Sequence, residues 1–571
     1  MQVAQKTTDT RIAALEVALQ KERERATALE KERDVLRASH ERLRLELELM
    51  RRRLFVAKAE RVDTQQLQLE FAAKLRALDQ VAGTLEMARG QEIVAGATGG
   101  GSSKKRKPSG RRDLRSLALE ERRVEIADPV FDQLVAEGKA TRIGHEESCK
   151  LAWQRGGMRR LVIARVKYRT VAVDQHGDAE IATAVTPKEL FWRCLAAPSL
   201  LAHIIIEKYC DGLPLFRIEQ RFSRDGLSID RGTMCRWMED AGATFGTTVV
   251  AAMREDALRT AFCIATDATG IAVQPAQSHE NKGRQACHRG HYFVQVADKD
   301  AVFFEYTPRE TSAAVGEMFK GFSGYIQADA KSVYDALFRE AEDEPPDGEG
   351  EVRQEVACWV HARRGFWEAT VAKSVVAREG LARIGRIFEL EATWSARQPE
   401  DIKRLRDLHL RPHVDAFFAW AAVEHEKVRI ERGLLRKALG YAVRHQAALC
   451  RFFEDGRLLL ENNRSERELR KIAVGRKAWL FVGSDDHAES AGHLFTLIAS
   501  ARLHRLDPEA YLRDLIRLLP HWPRERYLEL APKYWATTRA RLAASELAAE
   551  VGHFSVPAAL VAPPEEKSAP S

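Results

Sequence analysis

The sequence predicts a mixed α/β body that follows a helical region, with a long coiled coil ahead of both. Three observations carry that expectation. Apolar residues recur at heptad spacing over the first part of the chain. Short apolar runs of strand character crowd between Ala261 and Asp329, two of them joined by a tight Asp298-Lys299-Asp300 connection. The helix-like, Arg-rich stretch Asn462 to Arg470 then lies far downstream, leaving room for a helical insertion. At 571 residues the chain exceeds what one hydrophobic core usually holds, so several domains are expected.

Ile12, Leu19, Ala26, Leu47 and Leu54 share one heptad position, and Leu15, Leu29, Leu36, Leu43 and Met50 fall three residues later. This is the seam of a left-handed coiled coil. Glu22, Arg33 and His40 interrupt it; polar seam residues lower stability and fix register or partner. Residues 1–89 therefore read as a dimerisation region of open orientation, although a single amphipathic helix folded onto the body carries the same pattern. Residues 90–113 are rich in Gly, Ser, Lys and Arg and read as a flexible linker. From Lys104 to Arg115 there are seven basic residues and one acid, a field suited to phosphates as much as to simple solvation.

Residues 114–186 read as a small β-rich domain around Arg160 to Tyr168. In residues 187–255 a helix-turn-helix is expected. Pro214 opens one helix, Gly226 allows the turn, and Asp230 caps a second helix that turns Arg231, Thr233 and Arg236 outward and Met234 and Trp237 inward. The body, 256–519, should contain a strand to Asp267, another around Gly270 to Gln274, and a hairpin of Tyr292–Ala297 and Ala301–Tyr306. A helix from Ser312, a strand ending at Asp329 and a helix over Lys331–Ala341 follow. Asp267 and Asp329 are 62 residues apart, whereas Asp329 and Glu466 are 137 apart; the excess implies an inserted helical subdomain over about 368–449. Glu340 to Glu351 holds seven acids and reads as a solvated loop, and residues 520–571 read as a disordered or interaction-prone tail.

The net charge of +7 and pI near 8.9 are mildly basic. Eight scattered cysteines form no framework, the polar start Met1 to Thr10 is no signal peptide, and no apolar run approaches the roughly 18 residues of a membrane span. A reducing cytoplasm is the expected compartment.

The chemistry rests on Asp267, Asp329 and Glu466, read as two strand-end carboxylates and one helical carboxylate that only the tertiary fold can bring together. Mg²⁺ prefers oxygen ligands, and two such ions can activate an attacking oxygen and stabilise a leaving one in displacement at phosphorus. Taken singly, each acid reads as an ordinary surface residue. Around Glu466 stand Arg464, Arg467, Arg470, Lys471, Arg476 and Lys477; Arg470 lies one turn beyond it and can contact a phosphate, as can Arg363 and Arg364. A surface salt bridge is the plain reading of any one of these.

Thr266-Asp267-Ala268-Thr269, Gly324 to Ala330, Cys358-Trp359-Val360-His361-Ala362-Arg363-Arg364, Asn462 to Arg470 and Gly475 to Ser484 resemble, in order, the blocks of the DDE transposases of the bacterial insertion sequence 66 family. Arg52-Arg53-Leu54-Phe55 to Phe71 resembles its N-terminal block, so the likeness runs from the coil to about Leu519. Ala268 stands where the family pattern usually has Glu. The resemblance implies a ribonuclease-H-like core, catalytic and metal-binding roles for Asp267, Asp329 and Glu466, and two Mg²⁺ or Mn²⁺ ions. It implies that Arg231, Arg236, Arg363, Arg364, Arg467, Arg470, Arg476 and Lys477 contact double-stranded DNA, both element termini and target. It further implies a homodimer or larger assembly, small accessory proteins of the same element, and a nucleoid-associated bacterial location.

In residues 114–186 the family commonly carries paired Cys-x-x-Cys zinc motifs, whereas this chain offers only His145, Cys149 and His176. A closed zinc site needs four ligands, so this stretch reads as a degenerate zinc-finger-like domain without structural zinc. Cys287 with His291 and Cys358 with His361 read as packing residues rather than a second metal site. A nuclease that cuts without joining, and an inactive DNA-binding descendant, are the competing readings.

Deleting residues 1–80 should leave a folded body with weaker self-association and poor pairing of two DNA ends. Sedimentation checks this: equal oligomeric states for truncated and full-length protein would remove the role assigned to the coil.

Overall fold

The computed structural model describes Leu114 and residues 119–560, apart from 155–156, 174–178, 192–193, 276–285, 340–351, 372–373, 395 and 431. The coil, the linker, the acidic loop and residues 561–571 lie outside the described residues.

The first sheet is built on a long hairpin. β1 (Glu120–Ile126) runs parallel to β3 (Gly157–Val173), β2 (Ala140–Gln154) runs antiparallel to β3, and β4 (Ala179–Thr183) pairs with the later half of β3 on the edge that β1 uses earlier. Between β1 and β2 the helix Pro129–Ala136 starts on Asp128, whose carboxylate accepts from the N–H groups of Val130 and Phe131. Val166 and Tyr168 pack against Phe131 and Val135, and Tyr168 donates to Asp132 at 3.0 Å; Leu161 and Ile163 pack on Ala197 and Val551. Apolar packing thus fills this domain. His145 and Cys149 lie four residues apart along β2, opposite Val166 and Val162, with His145 bonded to Glu125, and His176 is outside the described residues.

The helix-turn-helix geometry follows the expected caps. Helices Leu215–Arg224 and Arg231–Phe245 flank Gly226 (φ 82°), and Asp230 accepts from the N–H groups of Gly232 and Thr233. Met234 is buried, Trp237 half-buried, and Arg231 and Arg236 exposed.

The second sheet comprises β5 (Cys263–Val273), β6 (His288–Ala297), β7 (Ala301–Thr307), β8 (Gly324–Ala328) and β9 (Arg353–Ala357), in the order β7-β6-β5-β8-β9. β5, β6 and β7 form an antiparallel meander, while β8 and β9 run parallel to β5. Asp298 (φ 48°) holds the meander turn and accepts from the N–H groups of Phe262 and Cys263 at 2.7 and 3.0 Å.

Several expectations are corrected. The strand expected to end at Asp267 and the one expected around Gly270 to Gln274 are one strand, so Asp267 sits mid-strand. Within that strand the bare Cα of Gly270 makes room for Arg289, whose Nε would lie 2.5 Å from any Cβ there. β9 was not expected. The helix after Asp329 begins at Asp335 rather than at Lys331. The helical insertion begins at Trp359, because helix Trp359–Val371 packs with helices Val375–Ala392 and Leu434–Arg444 in a second core around Trp359, Phe366, Phe417 and Phe418. Residues 520–560 are not a disordered tail: Trp522, Leu530, Trp535 and Phe554 are buried in the main core. Alanine and proline suggested disorder, but the widely spaced aromatic residues supply the anchoring area.

The edge of β7 is closed by helix Asp485–Leu503. Ser500 Oγ and Thr496 Oγ1 accept from the N–H groups of Val302 and Phe304 at 3.0 and 2.9 Å, so a polar strand edge is satisfied from a helix face. The same helix approaches Arg231–Phe245 so closely that a Cβ on Gly242 would lie 2.2 Å from Ser490 O. In the insertion, the nearly inaccessible Arg406 donates to Glu391 and to the carbonyls of Phe452, Asp455 and Leu458.

Arg406→Met should destabilise the protein by roughly 3–5 kcal/mol, because Glu391 and three carbonyls lose a buried donor together. Trp535→Ala should cost a similar ~3–5 kcal/mol, which a disordered tail would not. Urea unfolding of both variants measures these losses.

Candidate active site

β5 and β8 pair in parallel with Cys263 opposite Tyr325 and Ala265 opposite Gln327. Continuing that register by two residues sets Asp267 beside Asp329, on strands about 4.8 Å apart and on the same face. The third acid arrives through a buried amide. Asn462, 1% exposed, donates from Nδ2 to Thr266 O at 2.7 Å, and its carbonyl accepts from Glu466 N at 3.3 Å. The helix Asn463–Trp479 is thereby docked on β5 at the residue before Asp267, with Glu466 in its first turn.

Burial raises the Asp267 pKa to about 6; the carboxylates of Asp329 and Glu466 push in the same direction, against the Ala268 N–H at 2.7 Å and Lys331. Asp329 Oδ2 accepts from Lys331 Nζ at 2.9 Å, while Asp329 Oδ1 is buried with no hydrogen-bond partner. Burial disfavours the Lys331 ammonium, yet Asp329, Asp267 and Glu310 outweigh it and hold its pKa above the usual lysine range. Glu466 Oε1 stands 3.8 Å from His361 Nε2 and 3.7 Å from Arg364 Nη2. Burial lowers the His361 pKa, with Asp329 and Glu466 opposing it, and His361 Nδ1 is buried without a partner.

The donor set suits a hard divalent cation: three carboxylates, one with an orphaned buried oxygen, repel one another as they stand. As the side chains stand, no group of three or more His, Cys, Asp or Glu among the described residues is placed to hold a metal ion. Lys331 instead neutralises Asp329, and Glu466 leans toward His361 and Arg364.

Arg363, Arg364, Arg467, Arg470 and Lys477 are exposed, and Arg363 lies over the Phe388 ring. Arg476 is half-buried and already engaged: its Nη1 donates to Thr269 Oγ1 at 3.1 Å and to Gly270 O, tying the helix to β5. Arg231 and Arg236 sit on a separate helix that packs on Asp485–Leu503, with Arg231 over Phe216 and Arg236 bonded to Thr233.

Sequence reasoning missed Lys331, His361 and Asn462 as parts of this site. Asn462 is visible only as a member of a family block, and His361 only as a member of another and as a packing neighbour of Cys358; the two-residue spacing of Lys331 from Asp329 is a usable signal. Cys358 and His361 do not share a ligand: Cys358 Sγ accepts from Asn462 N at 3.3 Å, whereas His361 faces Glu466.

A sequence profile described as the IS66 family of transposases matches residues 193–490, and a second, described as the IS66 C-terminal element, matches residues 496–532. Among curated proteins, the chain is 27% identical over 436 residues to the uncharacterized protein y4qI of Sinorhizobium fredii, covering 76% of this chain and 78% of that one. It is 26% identical over 537 residues to the uncharacterized protein y4hP of the same organism, covering 89% and 90%. With the first profile spanning more than half of its length, this chain belongs to the IS66 family of transposases.

Proposed function

We propose that this protein is an active DNA transposase that cleaves the ends of its element and joins them to target DNA by metal-assisted phosphoryl transfer on a ribonuclease-H-like sheet. The observation that carries the reading is the convergence of Asp267 and Asp329 through the β5–β8 register, with Glu466 tethered beside them by Asn462. Family membership gives the chemistry its class, and the five-strand order with a three-strand meander agrees with the proposed fold.

Asp267, Asp329 and Glu466 would hold two Mg²⁺ or Mn²⁺ ions, which when bound activate the attacking oxygen and stabilise the leaving one. Lys331 then gives up part of its hold on Asp329. In the first reaction a water oxygen bonds to phosphorus and the 3′ oxygen of the element end leaves, taking a proton to become a 3′-hydroxyl. In the second that hydroxyl attacks a target phosphodiester and releases a target 3′-hydroxyl. Arg363, Arg364, Arg467 and Arg470 orient the phosphates, Lys477 extends the basic face, and Arg231 and Arg236 read the terminal inverted repeats. Dimerisation through residues 1–89 pairs two ends, small accessory proteins of the element assist, and the assembly works on the bacterial nucleoid.

Asp267→Asn, Asp329→Asn and Glu466→Gln should each fold and bind DNA nearly normally, yet lose end cleavage and strand transfer by on the order of a thousandfold. Cleavage and strand-transfer assays beside a gel-shift titration at fixed salt measure this. Near-normal cleavage by Glu466→Gln would move the third role to Glu461 or Glu468.

The raised Asp267 pKa fixes a sign. Without metal the native state keeps a proton that the unfolded state has released, so this group's contribution to stability falls as pH rises from about 4 through about 6. Asp267→Asn should therefore melt higher than the parent at pH 7 without metal. Stabilisation of the parent by Mg²⁺ should grow as pH passes 6, and the variant should lose most of it. Thermal melts across pH, with and without Mg²⁺, test both statements.

A further inference from the structure

Helix Asn463–Trp479 has a second functional flank. At roughly 100° per residue, Lys471, Gly475 and Trp479 turn away from Glu466, while Arg467 and Arg470 stand between the two flanks and reach the second one as well. There the helix and the end of helix Pro198–Tyr209 enclose a cleft of about 280 Å³. Gly212 (φ 74°) lets the turn after Tyr209 close in: a Cβ at this position would lie 3.9 Å from Gly475 Cα.

The donors in this cleft outnumber its acceptors. Lys208 is half-buried, with its ammonium 5.5 Å from the ring centres of both Tyr209 and Trp479, and it has no carboxylate partner among the described residues. Trp479 Nε1 is buried with no hydrogen-bond partner. Arg467 and Arg470 also line the cleft without a carboxylate partner among the described residues, while Lys471 is paired with Glu468. Exposed Asp211 is the one carboxylate in the lining. Two aromatic faces partly offset the desolvation of an ammonium but accept none of its N–H bonds. An ammonium, two guanidinium groups and an indole N–H together suit a phosphate oxygen cluster, and the indole face adds a surface for a sugar or base.

We propose that this cleft is a phosphate subsite, distinct from the three carboxylates, that holds a backbone phosphodiester of the bound DNA through Lys208, Arg470 and the Trp479 indole N–H. The proposal rests on the reading of the protein as a DNA-binding transposase. It gives Lys208, outside the Arg-rich helix, a role in anchoring DNA, and it extends the DNA path around the helix that carries Glu466. Burial lowers the Lys208 pKa to about 8, so a substantial share of this side chain is a nucleophilic amine at mildly alkaline pH.

Pyridoxal 5′-phosphate, an aldehyde that carries a phosphate, is a suitable probe. The lysine amine condenses with the aldehyde with loss of water, and borohydride delivers hydride to the imine carbon, leaving a stable secondary amine for peptide mapping. In the full-length protein Lys208 should label ahead of exposed lysines such as Lys320, and both inorganic phosphate and duplex DNA should protect it. Lys208→Met and Trp479→Phe should weaken duplex binding about tenfold, and Lys208→Met should lower the salt slope by about 1. Lys208→Arg should restore most of the affinity, with circular dichroism confirming that each variant is folded.

Fluorescence anisotropy runs in parallel as the measure of DNA binding. Labelling of Lys208 no faster than of exposed lysines would overturn the proposal. So would protection by phosphate alone while DNA is bound, which leaves the functional reading intact. Failure of the unmodified protein to bind any duplex would instead overturn the functional reading, and this subsite with it.

Discussion

The buried side chain of Asn462 is the joint on which the arrangement of the three carboxylates depends. Its Nδ2 bonds Thr266 O on β5, its backbone N–H reaches Cys358 Sγ at the head of the insertion, and its Oδ1 accepts from Ser465 in helix Asn463–Trp479. Three parts of the chain more than 90 residues apart in sequence meet at one residue. A buried amide of this kind is costly to leave unsatisfied, at about 1–3 kcal/mol per lost partner, so its bonds hold the helix in one register on the strand. Since Glu466 lies four residues beyond Asn462, that register also fixes the third carboxylate.

A second constraint works from the far edge of the sheet. Helix Asp485–Leu503 is buried on most of its faces, closes β7 with two hydroxyls and packs at backbone distance on the helix of the helix-turn-helix. Small and hydroxylated residues make this possible: Ser490, Gly492, Thr496 and Ser500 present little bulk to the elements they touch. The helix-turn-helix and the carboxylate-bearing sheet therefore share one core, to which residues after Leu519 also contribute.

Charge is distributed unevenly over these parts. On the first sheet Arg123 pairs with Glu147, Arg160 with Glu121, Arg142 with Glu125 and Asp132, and Arg165 with Glu146, so its basic residues are largely neutralised by their neighbours. Exposed pairs of this sort add little stability, but they withdraw that surface from phosphate attraction. Around Asn463–Trp479 the balance is opposite: Arg467 and Arg470 remain without carboxylate partners among the described residues.

The sequence by itself determined several local elements and some of their starts. Asp230 and Pro214 announce helix starts, the Asp298 turn announces the meander, and the spacing of Asp329 and Glu466 announces an inserted helical core, since each signal depends on neighbours within a few residues or on chain length. The residue types of the candidate site were equally legible, because oxygen ligands for a hard cation are a short list. Tertiary structure alone decided the rest. It merged two expected strands into β5, because β6 pairs with it without a break from Ile264 to Val273; it folded residues 520–560, because scattered aromatic residues find a common core; and it turned Arg476 inward to Thr269 and Gly270. It also brought Lys331 and His361 among the carboxylates and left Lys208 facing a cleft with no carboxylate partner among the described residues. Contacts of this kind join residues far apart in the chain, and the free energy of burying and pairing them has no counterpart in local pattern.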